Sequence, residues 1–82
     1  MMNQAKYRPI TQDQFDNQYA REVQAYITLY ETIGSSPDCF FETEIPGVGW
    51  CLSALDYDDT PCEYWNGTTW VKITDTYDWI EA

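Results

Sequence analysis

The chain has 82 residues, with 14 acids against four bases, no histidine and a formal charge of −10. At 44% hydrophobic and 17% aromatic residues it is too apolar for a disordered acidic tail, and no apolar run is long enough to cross a bilayer as a helix. The sign of the charge excludes direct nucleic-acid binding and docking on an anionic membrane surface.

A chain of this length makes one domain, spanning 1–82, with a modest core. Its four Trp, seven Tyr and three Phe compensate, because aromatic side chains bury much area each. The first ten residues lack the apolar stretch of a signal peptide, so the expected compartment is the cytoplasm. Cys39, Cys51 and Cys62 are then expected as free thiols, with a Cys39–Cys51 bridge across the first hairpin as the alternative. The charge is divided unevenly. In residues 1–30, Asp13, Asp16 and Glu22 are balanced by Lys6, Arg8 and Arg21. Residues 31–82 carry the other eleven acids against Lys72 alone.

In chain order, residues 1–10 read as an arm in which Pro9 keeps Arg8 extended. A helix is predicted over 11–34. Thr11 and Gln14 have capping-box spacing, with Ile10 as a staple. Phe15, Tyr19, Val23, Tyr26, Tyr30 and Ile33 form one apolar stripe, widened by Ile27 and Leu29. Gly34 is placed for the C-terminal cap, and Pro37 forbids continuation.

Residues 38–74 read as an antiparallel sheet. Cys39, Phe41, Thr43 and Ile45 alternate with Phe40, Glu42 and Glu44. Pro46-Gly47 is the centre of a type II turn, and Trp50 to Leu55 returns as the second strand. Asp56, Asp58 and Asp59 lie in an acidic connection. A second hairpin turns at Asn66-Gly67, with a two-residue or a four-residue loop. In either register Cys62, Tyr64, Thr69, Val71 and Ile73 share one face, taken as the core face, while Glu63, Trp65, Trp70 and Lys72 share the other. The tail, 75–82, docks on the core as a strand or turn. The fold class is α+β: one N-terminal amphipathic helix packed on one face of an antiparallel sheet of about four strands, built from two consecutive hairpins.

That arrangement leaves an open face. Its expected partner-binding residues are Phe40, Glu42, Glu44, Glu63, Trp65 and Trp70, joined by Asp56, Asp58 and Asp59 from the acidic loop. The indoles either cover a half-exposed sheet or act as apolar anchors of an interface.

Catalytic chemistry is not expected. Without histidine the usual general base and metal ligand are missing, and cysteines eleven or twelve residues apart do not suit zinc. No phosphate loop is present, and the aspartates of the acidic loop lack the glycine and glutamate of an EF-hand. No cofactor or metal is expected. In size, acidity and lack of catalytic residues the chain resembles the small phage-encoded inhibitors of host defence, anti-CRISPR proteins and DNA mimics among them. That resemblance covers bulk properties of the whole chain and transfers no residue. It implies a basic host partner, such as a CRISPR effector or another nucleic-acid-binding enzyme, blocked by competition in the host cytoplasm. The segment YWNGTTWV is also similar to short aromatic hairpins of sugar-binding and phage tail modules. It implies the alternative of a carbohydrate or particle module using exposed tryptophans. A structural subunit of a larger assembly is the third reading.

Overall fold

The computed structural model describes residues 3–31 and 35–82. The fold is α+β, but the sheet has six strands and is mixed: β1 (Asn3–Pro9), β2 (Phe40–Ile45), β3 (Gly49–Leu55), β4 (Pro61–Trp65), β5 (Trp70–Lys72) and β6 (Tyr77–Glu81), in the order β5-β4-β3-β2-β1-β6. The four-stranded antiparallel expectation fails at the two termini. The expected arm is β1, which pairs antiparallel with β2, and the tail is β6, which pairs parallel with β1. Charge explains why so polar a segment sits inside the sheet. β1 sets Lys6 opposite Glu44 and Arg8 opposite Glu42, and Arg8 Nε meets Glu42 Oε1 at 2.9 Å.

The expected helix is also divided. The capping box forms: the Thr11 N–H donates to Gln14 Oε1 at 2.8 Å, and the Gln14 N–H donates to Thr11 Oγ1 at 3.0 Å. A π-helical turn, Gln14–Gln18, follows, and only then does α1 run from Ala20 to Tyr30. The spacing Phe15, Tyr19, Val23 accounts for the wide turn. Each four-residue step overshoots a full α-helical turn by about 40°, so two in succession would rotate the stripe off the core. The Tyr19 N–H bonds back five residues, to Gln14 O at 2.8 Å, and absorbs the excess. α1 ends at Glu31, whose φ of +53° is left-handed. The expected cap at Gly34 and the end of the stripe at Ile33 lie outside the described residues.

Both hairpins follow local turn chemistry. The Val48 N–H reaches Ile45 O at 2.9 Å across Pro46-Gly47, with Gly47 at φ +81°. The second hairpin takes the four-residue loop, pairing Trp65 with Trp70 and Glu63 with Lys72. Asn66 Oδ1 accepts the N–H groups of Thr68 and Thr69, each at 2.8 Å, and so organises that loop.

The core lies on the face assigned above to the partner. Ile10, Val23, Phe40, Leu52, Ala54 and Trp70 are buried together, with Phe15, Tyr19, Tyr26, Ile27 and Trp65 packed against them. Tyr26 is the hub, edge-on to Phe40 at 5.5 Å and to Trp70 at 5.0 Å. Leu29, expected to widen the apolar stripe, is exposed.

The second face is not open either. Lys72 and Tyr77 are five Cα steps apart and so at most about 18 Å. In a flat sheet the five gaps between β5 and β6 alone would measure about 24 Å. The sheet therefore curls, and the segment 73–76 crosses its helix-free face. Thr43 and Ser53, buried on that face, satisfy one another by a hydroxyl–hydroxyl hydrogen bond. Cys39, Cys51 and Cys62 are free, so the Cys39–Cys51 bridge is not formed.

Candidate functional site

The residues expected to bind a partner separate into two groups. Phe40 (0% exposed), Trp70 (6%), Glu42 (8%) and Glu63 (8%) are buried beneath the helical segment, and Trp65 is half-buried beside them. Glu44, Asp56, Asp58 and Asp59 are exposed. Phe40, Glu42, Glu63 and Trp70 thus present little surface to a partner in this fold. Aromatic area outweighed the two charges in deciding which face the helix covers.

The buried carboxylates explain the tyrosines of the stripe. The Tyr19 hydroxyl donates to Glu42 Oε2, and the Tyr30 hydroxyl to Glu63 Oε2. Burial works against the charge of Glu42, but hydrogen bonds from Tyr19 and Arg8 prevail and hold its carboxyl below the ordinary range. For Glu63 burial outweighs the neighbouring charge of Lys72 and pushes its carboxyl up. Burial is also the leading cause that pushes the Tyr26 phenol up to about 12. These groups hold helix to sheet.

Five of the exposed acids meet at one end of the sheet. The strand directions bring the end of β1, the start of β2, the β3–β4 loop and the end of β6 to the same end. Asp38, Asp56, Asp58, Asp59 and Glu81 all lie there. A depression of about 400 Å³ takes Asp38, Asp59 and Glu81 into its wall, and Tyr7, Pro9 and Phe41 line it with no lysine or arginine among them. The Tyr7 and Phe41 rings stack at 5.3 Å and 12°.

The β3–β4 loop is preorganised. Asp56 Oδ1 accepts the N–H groups of Asp58 at 2.9 Å and Thr60 at 3.1 Å. Asp59 holds the left-handed conformation at φ +57°. Asp56 therefore shapes the loop, while Asp58 and Asp59 present their carboxylates outward. Between them and Asp56, Tyr57 stands fully exposed. Sequence reasoning passed over Tyr57, although an aromatic residue inside an acidic turn was a readable signal. It also missed the meeting of Asp38, Glu81, Tyr7 and Phe41, which depends on the pairing of β1 with β2 and β6.

No group of three or more cysteine, aspartate or glutamate side chains among the described residues is placed to hold a metal ion. Among the same residues no helix is long and apolar enough to cross a membrane. The acidic end can attract, orient and stack against spread positive charge; it offers no nucleophile–base pair. No family model matches the chain, and no curated protein or solved structure matches it significantly.

Proposed function

We propose that the chain is an acidic, non-enzymatic inhibitor that binds the basic surface of a nucleic-acid-binding protein, in the manner of an anti-CRISPR or other anti-defence protein, in the cytoplasm of the host cell. The observation that carries this reading is the acidic end: five carboxylates from three parts of the chain, with an exposed tyrosine on the braced loop that holds three of them. The remaining negative charge steers association from a distance. Tyr57 supplies the anchor that the buried Trp70 does not, since tyrosine is enriched among the residues that dominate interfaces. The mechanism is competition. Carboxylates spaced along a rigid end occupy lysine and arginine side chains that otherwise hold phosphates.

The test is capture from a bacterial lysate with competition by duplex DNA. Nucleic-acid-binding proteins are expected on the immobilised chain, displaced by DNA and by salt, and lost with Tyr57→Ala combined with Asp58→Asn and Asp59→Asn. Asparagine is chosen at 59 because it tolerates the left-handed backbone. Recovery of neutral glycans alone, or capture indifferent to DNA, would reject the reading.

A further inference from the structure

We infer a second site, at the opposite end of the sheet, for a single organic cation: the guanidinium or ammonium head of an arginine or lysine side chain. It depends on the reading above only for the source of that side chain; the pocket's own chemistry stands apart from it. The pocket, of about 330 Å³, lies between the helical segment and the sheet beside both hairpin turns, and its walls include Tyr19, Glu22, Trp50, Leu52, Trp65 and Asn66. This is the lower end of the range for small-ligand sites, the size of one side chain rather than of a peptide.

The register builds the aromatic walls. Ser53 pairs with Tyr64, which sets Leu52 beside Trp65, and Trp50 projects from the same face two residues before Leu52 on β3. Diagonal neighbours on one face stand about 7–8 Å apart along the backbone, near enough for one bound cation to reach both side chains. Trp50 already takes a guanidinium: Arg8 Cζ lies 3.9 Å from its ring centroid. Arg8 is neutralised by Glu42 at 2.9 Å and takes no part in the pocket walls, so it leaves the second cation unopposed.

Glu22 decides the sign of the ligand. Its backbone carbonyl accepts from Trp70 Nε1 at 2.8 Å, which ties this turn of α1 to the sheet, and the residue is part of the pocket wall. Its Oε2 is buried and has no hydrogen-bond partner among the described residues. A carboxylate oxygen in that condition is destabilising until an N–H reaches it. An anion would be repelled here. A charged N–H donor would form the stronger, charge-assisted bond and lie against indole faces at once.

The test titrates the full chain with N-acetyl-arginine amide and with N-acetyl-lysine amide, read by indole N–H shifts and tryptophan fluorescence. Saturable shifts are expected at Trp50 and Trp65 with at least one of the two, the larger response naming the source. N-acetyl-alanine amide and methyl glucoside should give none. Glu22→Gln is expected to weaken binding at least about tenfold, and so is Trp50→Leu, a change at a partly exposed position that leaves the core alone. Asp58→Asn with Asp59→Asn should leave it unchanged, which separates this pocket from the acidic end. Shifts confined to the β3–β4 loop, equal shifts with the glucoside, no saturation with either cation, or full affinity in Glu22→Gln would each overturn the proposal. Capture of a basic partner through the acidic end would survive all four results.

Discussion

Glu42 and Glu63 are chemically identical, equally buried and each hydrogen-bonded by a tyrosine of the helical segment, yet their surroundings push their carboxyls in opposite directions from the ordinary value. Against burial, Glu42 sets the hydrogen bond from Tyr19 and then the directly bonded Arg8, whereas at Glu63 burial prevails over the neighbouring charge of Lys72. The ordinary value is 4.5 for both. Glu42 is held below it, so its contribution is fully present above that pH and disappears as pH falls through the lowered value. Glu63 is held above it, so the stability tied to its protonated form is present below that pH and is lost as pH rises through the raised value. In urea titrations at neutral pH, Glu42→Gln should therefore destabilise by about 1–3 kcal/mol and flatten the acid limb. Glu63→Gln should stabilise at neutral pH and match the parent chain in acid. At this scale much was legible. The Thr11–Gln14 box and the turns at Pro46-Gly47 and Asn66-Gly67 depend on neighbours in sequence. The Tyr19–Glu42 and Tyr30–Glu63 pairs span 23 and 33 residues and were not legible.

Among the elements, the errors share one physical origin. β1 has a weak alternating pattern, since Asn3, Gln4, Lys6 and Arg8 are all exposed, and it is held by pairing on both sides rather than by an apolar face. The faces of β4 and β5 were assigned by their charges, Glu63 and Lys72, when the burial of Trp70 against Phe40 and Tyr26 carried more free energy. Helical tyrosines then satisfied the carboxylates drawn in with it. Trp70→Ala should accordingly cost about 3–5 kcal/mol, enough to unfold most of so small a domain at 37 °C, whereas Tyr57→Ala should leave the thermal midpoint within experimental scatter. An undisturbed fold in Trp70→Ala, measured by far-ultraviolet circular dichroism, would refute the assignment of the core face.

For the whole molecule, the ten net negative charges act in opposite senses on folding and on association. Within the chain they repel, so added salt should raise the thermal midpoint by screening. Between the chain and a basic partner they attract, so the same salt should weaken binding. The charge imbalance and its location after residue 30 were legible from composition. The meeting of five of the acids at one end of a curled sheet was not, because Asp38, the β3–β4 loop and Glu81 come together only through the order β3-β2-β1-β6. The most direct measurement is the affinity for a captured basic protein at low and at physiological salt, for the parent chain and for Asp58→Asn with Asp59→Asn. The account predicts a loss of at least about tenfold with salt in the parent chain and a shallower dependence in the variant. Equal affinity at both salt concentrations, or an unchanged salt slope after neutralising the loop, would contradict it.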